Sequence, residues 1–85
     1  MKEFVYKITD PEGIHARPAG LLIKEAAKFT STITLKKGDK TADAKRIFAV
    51  MGLAAKKDEE LTVTVEGADE AEAAAAMEAF LKDNL

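Results

Sequence analysis

Phe4, Tyr6 and Ile8 alternate with Val5 and Lys7, the period of a strand with one face buried. Asp10-Pro11-Glu12-Gly13 then supplies turn residues. From Pro18 to Lys28 the rhythm changes: Ala19, Leu22, Ile23, Ala26 and Ala27 recur at intervals of three and four, as on one face of a helix, and Lys24, Glu25 and Lys28 take the outer face. Alternation returns over Thr32–Lys36 with Ile33 and Leu35 inward. Lys37-Gly38-Asp39 turns the chain and Lys40-Thr41-Ala42 comes back, so residues 32–42 predict a hairpin. A short helix fits residues 44–53. Leu61, Val63 and Val65 alternate with Thr62 and Thr64 in a fourth strand. Gly67-Ala68-Asp69 opens a last helix with Asp69 as its N-cap, Glu70 and Glu72 in the first turn, and Ala73, Ala74, Met77, Phe80 and Leu81 inward.

The predicted order is β-α-β-β-α-β-α. Strands with one wet face (Lys7, Thr34, Thr62, Thr64) call for helices on the other face only. The expected fold class is therefore α+β, an open-faced sandwich of a four-stranded antiparallel sheet with three helices on one face. At 85 residues one domain covering 1–85 is expected, with a radius of gyration of about 12 Å and no depth for an enclosed active site.

Composition narrows the chemistry. There is no cysteine and one histidine, which removes disulfides, thiolate metal sites and histidine-rich metal sites but not a carboxylate site for a hard cation; no metal and no cofactor is expected. No apolar run approaches the roughly 20 residues of a membrane span, and the first residues run directly into a strand pattern, so a cytoplasmic protein without membrane insertion is expected. The net charge of −2 is uneven. Residues 1–57 hold twelve Lys/Arg against six Asp/Glu, a net of +6, whereas residues 58–85 hold Lys82 against nine acids, a net of −8. A basic surface offered to an acidic protein or an anionic group follows. Nucleic acid fits less well, because no aromatics interleave with the basic residues.

Gly13-Ile14-His15-Ala16-Arg17-Pro18-Ala19-Gly20 carries the candidate chemistry. Proline is accepted in the first turn of a helix, where its missing N–H costs nothing, so Pro18 places His15 at or just before a helix N-terminus. First-turn amides such as those of Ala16 and Arg17 lack helical partners and favour anions there. Arg17 adds a guanidinium able to hold phosphate oxygens in pairs. A lone histidine at a helix start is more often a cap or a surface residue. A nucleophilic nitrogen, an anion cradle and a permanent cation within three residues are nevertheless the equipment for carrying a phosphoryl group. Neither a G-x-x-x-x-G-K-[ST] nor a G-x-G-x-x-G motif is present, which speaks against direct use of ATP.

The His15 segment resembles the active-site signature of the HPr family, the histidine-containing phosphocarriers of the bacterial sugar phosphotransferase system. Lys45–Leu53 is similar to that family's second-helix segment and Glu66–Glu70 to its approach to the last helix, so the resemblance covers the chain. It implies that Enzyme I, charged by phosphoenolpyruvate, phosphorylates His15 on Nδ1, and that the group passes on to EIIA domains of sugar transporters. His15 would be the carrier, with Arg17 and the Ala16 and Arg17 amides stabilising the transferring group. Lys24, Arg46, Ile47, Phe48 and Met51 would form the partner surface, ringed also by Lys28 and Lys45. Of Ile47, Phe48 and Met51 at least one is expected in the core, with Ile47 and Phe48 the exposed candidates. Such a protein is a carrier and not an enzyme in the strict sense, and a monomer is expected.

One residue departs from the family's habit. Many relatives from Gram-positive bacteria have a serine, the target of a regulatory kinase, where this chain has Arg46. Arginine has no acceptor with which to cap a helix, so Asp43 is expected to cap an earlier start, with Ala44, Lys45 and Arg46 in the first turn. Two other functions fit part of the sequence. A regulatory binding module, an HPr-like protein acting in catabolite or nitrogen control through protein contacts alone, would have no need of His15. A ferredoxin-like ligand-binding domain shares the β-α-β-β-α-β order but explains neither the His15–Pro18 cluster nor a third helix.

Overall fold

In the computed structural model, which describes residues 1–85, the alternating segments form strands and the periodic ones helices. The elements are β1 (Lys2–Lys7), α1 (Ala16–Ala26), β2 (Thr32–Lys37), β3 (Lys40–Asp43), α2 (Ile47–Gly52), β4 (Glu60–Glu66) and α3 (Glu70–Asn84). They build one sheet in the order β1-β4-β2-β3, antiparallel throughout. The last strand in sequence thus lies inside the sheet, between β1 and β2. In register, Phe4 faces Val63, Val63 faces Leu35 and Leu35 faces Ala42, one apolar row across all four strands. Because side chains alternate, Thr62, Thr64, Thr34 and Lys36 are left on the opposite face. The expected open-faced sandwich is the fold observed.

Leu61, Val63, Val65, Ile33 and Leu35 from the sheet meet Leu22, Ala26, Val50, Met77 and Leu81 from the helices, all fully buried. Burying each of the larger side chains stabilises the fold by about 1.5–3 kcal/mol relative to exposure. α3 packs on β1, β4 and α1, while α2 packs on α1 and β3.

Three expectations are corrected. First, α2 does not begin at residue 44. The Ala44 amide donates to the Ile33 carbonyl at 2.9 Å, which commits that buried residue to the sheet. The Asp43 carboxylate accepts the Lys45 amide at 2.9 Å and its carbonyl the Arg46 amide at 3.0 Å, closing a turn before the helix. The helix starts at Ile47 with Arg46 as N-cap and no side-chain cap bond, so Asp43 holds the turn and is not the helix cap. Second, none of Ile47, Phe48 and Met51 is in the core; a six-residue helix needs only Val50, followed by Leu53, to anchor it. Third, Asp69 occupies the N-cap position of α3 without capping it. Its carboxylate accepts bonds from the Thr30 amide at 2.9 Å, the Ser31 amide at 3.0 Å and the Ser31 hydroxyl, tying the start of α3 to the start of β2. Gly67 makes this approach possible: with φ at 155°, it leaves no room for a Cβ, which would run into Ser31.

Candidate functional site

The site begins with a turn held at both ends. The Asp10 carboxylate accepts the Glu12 amide at 2.8 Å and the Asp10 carbonyl accepts the Gly13 amide at 3.0 Å. Gly13 has a φ of 66°, in the left-handed region that favours glycine, and lies so close to the Ala55 carbonyl that a Cβ would collide with it. Next to it the Ile14 amide donates to that same carbonyl at 2.9 Å, and the Ile14 side chain is buried. His15 therefore emerges from an anchored backbone.

His15 is the N-cap of α1, with extended backbone at φ −125° and ψ −175°, and its side chain makes no capping bond. The imidazole is thus free of the usual structural task of a residue in that place. Its carbonyl accepts the Ala19 amide at 3.0 Å, the first bond of the helix. Pro18 lies buried in the first turn as expected and has no N–H to give. The amides of Ala16 and Arg17 have no helical acceptor, and no acidic side chain occupies that turn. Arg17 is exposed and makes no ion pair within the chain. The structure brings His15 and Arg17 to one open depression of about 230 Å³, together with Pro18 and Leu21 of α1, Asp10 of the preceding loop, and Asp83 and Asn84 of α3. A nucleophilic nitrogen, unpaired amides and a guanidinium can hold a compact anion with several oxygens.

Sequence reading missed the far wall of this depression. Asp83 and Asn84 come from the other end of the chain, brought there because Leu85 is buried and its carbonyl oxygen accepts the Thr9 and Asp10 amides at 2.6 and 2.8 Å. No local pattern announces that closure. Glu12 has the place of a turn residue in the sequence, yet its Oε2 lies 3.4 Å from Nε2 of His15.

The second group of candidate residues lies on α1 and α2, which pack together. Phe48 is 85% exposed, Leu21 40%, Met51 38% and Ile47 37%. Leu21 went unassigned in the sequence, although an apolar residue off the inward stripe of α1 was the available signal. Lys24 and Arg46 are exposed and unpaired, whereas the other two cations of the expected ring have internal partners. Lys45 Nζ donates to the Phe29 carbonyl at 2.8 Å, and Lys28 Nζ lies 3.0 Å from Glu25 Oε1.

Residues 2–83 match the protein family described as the phosphorylation site of the HPr component of the phosphotransferase system, PTS. The chain is 42% identical over 83 residues to a phosphocarrier protein HPr of Lysinibacillus sphaericus, covering 98% of this chain and 94% of that one. Among solved structures it is similar to a histidine-containing phosphocarrier protein of Mycoplasma, with 40% identity, a TM-score of 0.93, and coverage of 96% of this chain and 93% of the other. HPr of Thermoanaerobacter tengcongensis also superimposes with a TM-score of 0.93, at 36% identity over 99% and 94% of the two chains.

Proposed function

Because the chain belongs to the HPr family of phosphocarrier proteins, we propose that it takes a phosphoryl group from phosphorylated Enzyme I onto Nδ1 of His15 and delivers it to EIIA domains of sugar transporters. The observation that carries this reading is the position of His15: an N-cap whose side chain caps nothing, beside the unpaired amides of Ala16 and Arg17 and in one depression with the Arg17 guanidinium. In transfer the phosphoryl oxygens gain charge-assisted bonds from Arg17 and dipolar ones from the two amides. The donor arrives already activated, so the protein supplies positioning and charge, with no metal or nucleotide of its own.

Lys24, Arg46, Ile47, Phe48 and Met51 form the proposed docking surface. An exposed aromatic with flanking apolar side chains supplies contact area, and unpaired cations steer acidic partners, which suits short-lived complexes. The depression is open and shallow enough for a second protein's active site to reach His15, as direct transfer requires. The protein acts as a monomer in the cytoplasm and is a carrier, not an enzyme in the strict sense. No helix is long and apolar enough to cross a membrane.

Incubation with Enzyme I and labelled phosphoenolpyruvate tests the proposal. One acid-labile phosphate per chain is expected, absent from His15→Ala, with no loss of fold in that variant because an exposed helix start contributes little packing. Undiminished labelling of His15→Ala would overturn it.

A further inference from the structure

Resting on the phosphocarrier reading above, we infer that Glu12 is a positioning residue for the transfer: its carboxylate takes the Nε2–H edge of the His15 ring, leaves Nδ1 to react, and offsets the positive charge that the ring acquires when phosphorylated. Glu12 Oε2 lies 3.4 Å from His15 Nε2, the one carboxylate within 4 Å of the ring nitrogens. The contact does not depend on a loose loop. The Glu12 amide is held by the Asp10 carboxylate, and Gly13 and Ile14 are fixed against the Ala55 carbonyl, so the backbone is anchored on both sides. The other charged groups facing the ring are Asp10 from the same loop, Arg17 from α1 and Asp83 from α3. Asp10 is engaged with the Glu12 amide, and neither Asp10 nor Asp83 comes within ion-pair distance of the ring.

The chemistry makes use of this arrangement. The Nδ1 lone pair attacks phosphorus on the donor; the new P–N bond forms as the donor's bond to phosphorus breaks, its electron pair leaving with the donor. Nε2 keeps its hydrogen. The product is an N-phosphoimidazolium, positive on the edge that faces Glu12. In onward transfer the P–N bond breaks, its pair returns to Nδ1, and the neutral ring is regenerated with the same Nε2–H. No proton leaves or enters in either direction. Once the phosphorylated ring loses its Nε2 proton, it becomes a poorer leaving group. A carboxylate beside that proton holds the transferable form to higher pH.

The test uses the phosphorylated protein. Wild type, Glu12→Gln and Glu12→Ala are loaded with Enzyme I and phosphoenolpyruvate, freed of donor, and followed for loss of phosphate from acid to mildly alkaline pH at low and high salt. Dephosphorylation slows as pH rises. In both variants that fall is expected at a pH lower by about half a unit than in wild type, the size for an exposed charge pair. High salt should narrow the gap, because it screens charge and leaves shape alone. Coincident profiles at low salt, or an offset untouched by salt, would overturn the role of Glu12 while the phosphocarrier reading stands. A wild-type protein that takes no label overturns both.

Discussion

Arg17 is exposed, unpaired and two residues along the chain from the His15 it is proposed to assist, so its replacement separates charge from scaffold. Arg17→Ala should leave the fold intact and His15 competent, yet slow transfer by about 30- to 1000-fold, the effect of losing about 2–4 kcal/mol of transition-state stabilisation. Arg17→Lys should recover only part, since an ammonium keeps the charge but not the paired donors. Rapid-quench transfer from phosphorylated Enzyme I reads both, and wild-type rates for Arg17→Ala would show that the helix terminus acts alone. Phe48 calls for the reverse experiment. At 85% exposure it contributes little packing, so Phe48→Ala should change thermal stability by no more than about 0.5 kcal/mol while weakening association with Enzyme I, measured by calorimetry. Arg46 is exposed at the start of α2 and has no hydroxyl. Incubated with ATP and the serine kinase that acts on many Gram-positive relatives, the protein should gain no label at position 46, and Arg46→Ser should create an acceptor; label on the unmodified protein, at Thr41 for example, with loss of Enzyme I turnover, is the contrary result.

Between elements, the bonds from Thr30 and Ser31 to Asp69 make β2 and α3 depend on each other. Ser31→Ala removes a buried hydroxyl bonded to a carboxylate and should cost about 1.5–3 kcal/mol in urea denaturation. The Ser31 hydroxyl, then the Thr30 amide, hold the Asp69 carboxyl below its ordinary value of 3.8. A lowered folded-state value means stabilisation that is fully present above the ordinary value and lost as pH falls through the lower one. Wild type should therefore exceed Asp69→Asn in melting temperature at neutral pH, and the gap should close only in strong acid. That bond also shows where sequence reading stops. The strands and the two longer helices were legible from their patterning, because each buries one face, and His15 with Arg17 was legible because Pro18 fixes where α1 begins. What a carboxylate bonds was not. Asp43 and Asp69 both have the side chain of a helix cap in the right neighbourhood, but the sheet claims Ala44 and β2 claims Asp69. The depth of α2 was hidden for a related reason: four of its six residues are apolar beyond Ala49 and Gly52, and only packing decides that Val50 is the one turned inward.

Across the whole molecule the uneven charge becomes topology. The acid-rich last third supplies β4, inside the sheet, and α3, while α1 and α2 with Lys24 and Arg46 belong to the basic remainder. Association with an acidic partner through α1 and α2 should accordingly slow as salt rises, and stopped-flow mixing over a salt series measures the slope. Placing β4 between β1 and β2 has a consequence for biosynthesis. While a ribosome has released only the residues before Glu60, β1 and β2 have no common neighbour, each keeps an open edge, and the row from Phe4 to Leu35 is broken at Val63. Of the final sheet only the β2–β3 hairpin can pair in that nascent chain, so completion of the sheet waits for β4. A fragment of residues 1–59 should show little ordered structure by circular dichroism and regain it when mixed with a peptide of residues 60–85. Premature termination would then yield a polypeptide open to proteases.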